Sequence, residues 1–251
     1  MKTELDAPAC PPDCHTCSLR KTEAFVQFSQ EKIDYIQAFR SATMELAGGR
    51  QIIAEHKSST RIFTLYQGWA FRYKTLSDGR RQILNFLVAG DLIGLQEEFV
   101  DGATPGVEAL TNVTLCVFPR DGLWQMFRDH PQLGYDVTWL ASREESLVDE
   151  GLLTAGRRTA LERVAMLLVH LYRRAERVGL ASNGSIAFPF SQQHIADALG
   201  LSLVHTNKTL RRLSRLGLHT LEEGRLVMHD PRGLENISDY YERPLRKVPL
   251  I

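Results

Sequence analysis

No apolar run in this sequence comes near the roughly 20 residues that a bilayer-spanning helix needs. The first residues also lack the apolar core of a secretory signal, so a cytoplasmic protein is expected. Cysteine is scarce, four in 251 residues, and three of the four crowd into Cys10, Cys14 and Cys17. That is not the dispersed framework of a disulfide-stapled secreted domain. Missing too are a Gly-rich phosphate loop, a nucleophile elbow and an HExxH pair, and His130, His170 and His229 stand apart from one another in sequence. An enzyme is therefore not expected. Nor is there net charge: Lys and Arg together number 30, as do Asp and Glu.

That neutrality is uneven. Residues 156–217 hold ten Lys and Arg against three Asp and Glu, whereas residues 1–155 hold 15 against 21. One strongly positive segment in a neutral chain is what a phosphate-facing surface requires. Within it lies SQQHIADALGLSLVHTNKTLRRLSRL, Ser191 to Leu216. Ser191 caps a short helix whose Ile195, Ala198 and Leu199 share a face, and Gly200 ends it. Ser202 caps a second helix with Thr206, Leu210, Leu213 and Leu216 or Leu218 inward, and His205, Asn207, Lys208, Arg211, Arg212 and Arg215 on the free face. Two short helices across a Gly-containing turn, the second basic, have the composition of a DNA-reading helix-turn-helix. An ordinary helical hairpin with a solvated face is the alternative, and the charge distribution argues against it.

The remaining chain, 43% hydrophobic and 24% charged over its full length, is long enough for two cores. From about Glu23 to Ala42 an amphipathic helix or pair of helical turns buries Phe25, Phe28, Ile33, Ile36 and Phe39. Between Met44 and Phe118 short β-branched and aromatic runs alternate with turn signals, which predicts eight short strands in a sandwich or barrel. The run RIFTLYQGWAFRYKTLSDGRRQILNFLVAGDLIG reads as two hairpins, with Phe63, Leu65, Trp69, Phe71, Tyr73, Ile83, Asn85 and Leu87 divided between two faces. Pro131 opens a long helix to about Thr154, whose Leu133, Val137, Leu140, Glu144, Leu147 and Gly151 form a seam. With Glu145, Asp149 and Glu150 alongside, it reads as a dimerisation helix with built-in like-charge repulsion. A helix with Arg163, Arg173, Arg174 and Arg177 outward, a short strand and a hairpin around Glu223-Gly224 complete a winged unit, with Arg225 near its tip. The last fifteen residues are expected to fray or to pack late.

Residues 1–18 have little hydrophobic periodicity, and Cys10-x3-Cys14-x2-Cys17 places thiolates where they can converge on zinc or an iron–sulfur cluster. The fourth ligand is missing locally. His15 supplies it in one arrangement, and Cys116, which taken alone reads as a buried strand cysteine, supplies it in another.

The order of parts resembles the CRP/FNR family of bacterial transcription regulators. The resemblance is carried by Gly68, Asp78-Gly79-Arg80, the AGDLIG of residues 89–94, Ala160-Leu161-Glu162-Arg163 and SQQHIADALGLSLVHTNKTLRRL, and it covers nearly the entire chain. It implies an α+β fold: a cysteine-containing loop over 1–22, a double-stranded β-helix (jelly roll) sensory domain over 23–130, a dimerisation helix over 131–155, a winged helix-turn-helix over 156–235 and a tail over 236–251. It further implies a homodimer on a palindromic operator in double-stranded DNA, working with RNA polymerase. Where cyclic-nucleotide members carry a Glu and an Arg-Ser pair, this chain has Leu95 and Pro105-Gly106, which argues against cyclic AMP.

The FNR branch implies Cys10, Cys14, Cys17 and Cys116 as ligands of an oxygen-labile 4Fe-4S cluster that orders the N-terminal loop and favours the paired long helix. The cysteine spacing departs from the best-known FNR pattern, so zinc with a small-molecule effector in the roll stays as the alternative. A module that never engages DNA is a third reading. In the recognition helix the family's Glu and Arg are replaced by Val204 and Lys208, and an FNR Ser by Asn207. Lys208 suits guanine, Asn207 adenine and Val204 a thymine methyl. Ser202 and His205 then position the helix on phosphates, Arg211 and Arg212 add salt-sensitive affinity, and Ser191 and Gln192 are counted among the DNA-binding residues.

Overall fold

The structure, a computed structural model, describes residues 13–98, 104–241 and 246–251. Helix α1 spans Gln30–Phe39, with the Ser29 hydroxyl accepting from the Lys32 N–H at its start. It is shorter than the sequence suggests. Residues 26–28 are not helical, because Phe25 is drawn into a parallel bridge with Val248 and its ring closes over Gly90, where a Cβ would lie 2.3 Å from it.

Eight strands follow: β1 Ala42–Leu46, β2 Gln51–Ile53, β3 Arg61–Gln67, β4 Ala70–Thr75, β5 Arg81–Leu87, β6 Leu92–Ile93, β7 Gly106–Ala109 and β8 Val113–Pro119. They form two antiparallel sheets, in the orders β1-β8-β3-β6 and β2-β7-β4-β5. Of the two expected hairpins only β4–β5 is one. The Gln67-Gly68 turn carries the chain from one sheet to the other, which alternating hydrophobicity cannot reveal because both strands alternate equally well. Gly68 has φ +93°, and a Cβ there would sit 2.3 Å from the Asn112 carbonyl oxygen.

The two faces of the aromatic run do separate. Phe63, Leu65 and Leu87 fill the interior of the roll with Val107, Val113 and Leu115. Trp69, Phe71, Tyr73 and Ile83 lie on the outer face, in one core with the C-terminal helices.

Helix α2, Leu123–Asp129, caps the roll, and α3, Pro131–Arg157, runs along it. The seam read from sequence turns inward: Leu133, Val137 and Leu140 are buried in the chain's own core beside Ile36, Phe118 and Met126. Glu144 is not a source of repulsion between copies, since it pairs with Arg72 at 2.9 Å and accepts from Asn85 at 3.2 Å. Among the apolar residues α3 leaves exposed are Tyr135, Leu152 and Leu153.

Helix α4, Ala160–Arg177, starts at a capping box between Thr159 and Glu162. After β9, Ser185–Ala187, come α5, Gln192–Leu199, and α6, Leu203–Arg215. The hairpin β10 His219–Glu222 and β11 Arg225–Met228 forms a three-stranded sheet with β9, and α7, Pro231–Ser238, packs on α4. Phe190 stacks edge-on against Trp69 and Phe86 of the roll, with ring centroids 5.1 and 4.7 Å apart.

A buried polar chain ties the two units together. Asp91, 3% exposed, accepts from the Val88 N–H at 2.8 Å, from Arg143 of α3 at 3.1 Å, and from Arg174 of α4. Arg174, read from sequence as an outward residue, also donates to Asn85 and to the Phe86 carbonyl. Desolvation alone would raise Asp91, yet the two guanidiniums hold it below the ordinary carboxylate value.

The tail is the other correction. Val248, Leu250 and Ile251 are 3–4% exposed and belong to the core under the N-terminal loop. Their apolar side chains outweigh the charge and proline content that predicted fraying.

Candidate nucleic-acid interface and cysteine pocket

The first helix of the pair starts where sequence places it. The Ser191 hydroxyl accepts from the His194 N–H while the His194 ring accepts from the Ser191 N–H, and Gly200 ends the helix at φ +62°. Ser202 likewise caps α6, its hydroxyl accepting from the His205 N–H at 3.2 Å. Thr206, Leu210 and Leu213 face inward with Thr209, and Leu218 rather than Leu216 completes the stripe.

The opposite face is open: Ser202, His205, Lys208, Arg211, Arg212 and Arg215 are exposed, Val204 is 79% exposed, and Asn207 is half-buried. Ser191 and Gln192 are exposed at the start of α5. Among the described residues no carboxylate pairs with Lys208, Arg211, Arg212 or Arg215.

The positive segment is thus narrower than its count of charges implied. Arg163 donates to the carbonyls of Arg158 and Leu199, Arg173 pairs with Glu235 and Glu176, and Arg158 with Glu150. Arg225 is spent on the Ser185 hydroxyl at 2.6 Å. What remains unpaired is concentrated on α6, and a row of free cations on one exposed helix is what backbone phosphates attract.

The second site lies at the far end of the roll. Cys14, Cys17 and Cys116 line one small cavity with Arg20, Arg40 and Tyr66. Cys116 comes from β8, between Thr43 and Thr64 of the flanking strands. Cys14 is fixed by its N–H donating to the Gln37 side chain at 2.8 Å. Burial pushes the Cys116 thiol up to about 11, against the pull of Arg40, and raises Cys14 as well. His15 is turned elsewhere, 3.2 Å from Asp34 and 2.8 Å from the Gln30 amide. Cys10 lies outside the described residues.

Arg20 is buried, its Nη2 donating to the Leu250 carbonyl at 3.0 Å. Among the described residues its Nε and Nη1 meet no hydrogen-bond acceptor, and burial makes the guanidinium easier to deprotonate, against the pull of Cys14, Cys17 and Cys116. A cavity with soft sulfur donors and a buried guanidinium short of acceptors fits an anionic thiolate-held centre. Among the described residues no three Cys, His, Asp or Glu side chains are arranged to hold a metal ion.

A larger cavity of about 230 Å³ lies between the roll and α3, lined by Arg72, Asp91, Arg143 and Glu144 among apolar walls that include Leu95 and Pro105.

With both sites in place the comparisons can be read. Residues 162–237 match the Crp-like helix-turn-helix domain, and residues 43–130 the cyclic nucleotide-binding domain. A "Probable transcriptional activator" of Rhizobium leguminosarum bv. viciae is 30% identical over 237 residues, 94% of this chain and 97% of that one. The chain belongs to the CRP/FNR family. The transcriptional activator protein FnrL of Cereibacter sphaeroides is 27% identical, covering 93% of this chain and 95% of its own. The solved structure of FixK2 from Bradyrhizobium japonicum superposes with a TM-score of 0.71 at 27% identity, covering 81% of this chain and 98% of that one.

The protein is therefore a DNA-binding transcription regulator and not an enzyme, built from a β-rich sensory domain, long helices and a helix-turn-helix. Its sensory domain is of a kind that takes a ligand or cofactor. Among the described residues no helix is long and apolar enough to cross a membrane. Sequence reasoning missed Arg20 and Arg40 as walls of the cysteine pocket; the one available signal was Arg20 lying three residues beyond Cys17.

Proposed function

We propose that the regulator senses oxygen or redox state through an iron–sulfur cluster held by Cys10, Cys14, Cys17 and Cys116, and binds a palindromic operator as a homodimer that works with RNA polymerase. The observation that carries the sensing half is the meeting of Cys14, Cys17 and Cys116, from a loop and a distant strand, beside a buried arginine whose Nε and Nη1 meet no acceptor among the described residues. When bound, a cluster supplies oxygen-labile redox chemistry. The chain's own part is to hold the N-terminal loop on β8 and to set positive charge against the thiolates.

On the DNA side, Val204, Asn207 and Lys208 are placed for base edges. Ser191, Gln192, Ser202, His205, Arg211 and Arg212 are placed for the backbone. Pairing through α3 would use Tyr135, Leu152 and Leu153, which the chain leaves uncovered.

Protein purified without oxygen is expected to be brown, with iron and acid-labile sulfide, to select one palindrome from a random duplex pool, and to lose that selection in air. Lys208→Glu is expected to abolish selective binding, Lys208→Ala to relax selection at one base position, and Arg211→Ala to flatten the salt dependence by about one phosphate contact. Selection that survives air unchanged refutes oxygen sensing, and no selection under any condition refutes operator reading.

A second reading rests on the roll cavity. Arg72 is buried there with its Nε lacking an acceptor, and it is paired to Glu144 of α3. An anionic small molecule could take the place of Glu144 and so report to the long helix. Colourless oxygen-free protein that melts higher with such a ligand favours this reading, with zinc or nothing on the cysteines.

A further inference from the structure

Residues 246–251 lie across the sensory end of the molecule although α7, just before them in sequence, packs on the DNA-binding unit. Four hydrogen bonds to their main chain seat them, two from backbone partners and two from side chains. The Val26 N–H donates to the Val248 carbonyl and the Val248 N–H to the Ala24 carbonyl, both at 2.9 Å. Arg20 donates to the Leu250 carbonyl at 3.0 Å, and the Thr64 hydroxyl to the Ile251 carbonyl at 2.7 Å. The side chains of Leu250 and Ile251 then form walls of the same cavity as the three thiols.

With the strap seated, that cavity leaves room for about one water molecule. A polyatomic inorganic centre needs several times that space. Among the described residues the oxygen acceptor that Arg20 meets is a carbonyl of the strap itself, so the strap supplies both apolar fill and partial negative charge to the pocket.

We propose that residues 248–251 are an internal plug of the cysteine pocket, which buries Cys14, narrows access to Cys116 and is exchanged for the metal centre when one is taken up. This rests on the reading that the cysteines hold such a centre; the sealing half does not. On exchange Arg20 passes from the Leu250 carbonyl to the thiolates. The segment after α7 comes off the roll, and one of the ties between the sensory and DNA-binding units is released. The state of the pocket thereby reaches the helix-turn-helix through the tail as well as through α3.

The test uses the full-length chain, Leu250→Asp, and as a second variant a chain lacking residues 247–251, with circular dichroism confirming the fold of each. In metal-free reduced protein, alkylation of Cys14 and Cys116 by iodoacetamide, read by mass spectrometry, is expected to quicken at least about tenfold in both variants. That is the effect of ~1.4 kcal/mol of strap docking lost. Oxygen-free reconstitution with ferrous iron and sulfide, followed by visible absorbance, is expected to reach half-uptake at about tenfold lower iron in the variants.

Unchanged alkylation overturns the seal. Uptake that is equal or weaker in the variants overturns the exchange and makes the strap a part of the loaded site. A visible band in none of the chains refutes the metal reading itself, and with it the exchange, while the alkylation rates still decide the seal.

Discussion

Arg174→Met is the substitution that tests how the two units are joined. In the native chain the Arg174 guanidinium serves Asp91, Asn85 and the Phe86 carbonyl at once, and Asp91 is 3% exposed. Methionine keeps most of the apolar stem, so the loss is electrostatic. Asp91 retains Arg143 at 3.1 Å and the Val88 N–H at 2.8 Å, but one of two balancing cations is gone from a buried site. Breaking a buried pair from one side costs about 3–5 kcal/mol, which in a chain of this size lowers the melting temperature by roughly 10 °C. Calorimetry at pH 7.5 reads this directly.

Asp91→Asn is expected to cost a similar amount by leaving two guanidiniums uncompensated. The double variant should lose at least about 1 kcal/mol less than the sum, since removing both partners of a buried pair is far milder than removing one. Strict additivity, or a melting shift below about 2 °C for Arg174→Met, would show that the polar chain does not hold the units together.

Acid should weaken the fold through two buried histidines. His219 is 1% exposed and its Nδ1 has no partner, and burial, then His229, pushes it down to about 4. Burial, with Arg174 and Arg143 against Asp91, pushes His170 to about 3. Unfolded imidazoles near 6.5 take up protons that the native ones refuse, so stability is complete above that pH and falls as pH drops toward 4. At pH 5 the loss is about 2 kcal/mol per histidine. Urea midpoints at pH 7.5 and 5 measure it, and identical midpoints would refute it. Gly68→Ala forces a Cβ to 2.3 Å from the Asn112 carbonyl at φ +93° and should cost roughly 2–3 kcal/mol, while Gly79→Ala, with nothing within 4 Å, should cost less. Equal denaturation midpoints for the two would count against the crossing turn.

What could be read in the sequence was what local periodicity encodes. Ser191, Gly200 and Ser202 mark the helix pair by capping chemistry alone, and the structure shows each cap in use. Partners across distance were invisible. The stripe Leu133, Val137, Leu140 is equally apolar whether it faces a second copy or its own roll, and Glu144 looked like repulsion only because Arg72 lies far away in sequence. Arg174 sits on the helical face expected to be wet, yet Asp91, in the turn between β5 and β6, waits for it there. In the tail, four apolar residues among charges were enough to fill a cavity whose existence depends on β3, β8 and the N-terminal loop together. For the cysteine pocket the cluster of thiols was legible, and the guanidiniums that give it a sign of charge were not.

The outer face of β4 and β5 presents Trp69, Phe71 and Phe86 to Phe190 and the start of α5, and Arg81 lies over the Phe71 ring while pairing with Asp197 of α5 at 3.0 Å. Lifting the reading head clear of this bearing would wet several aromatic rings together, each worth a few kcal/mol in water. Reorientation of α6 is thereby confined to gliding or tilting with the rings still covered, so the reading head rides on its sensor rather than swinging loose on a linker.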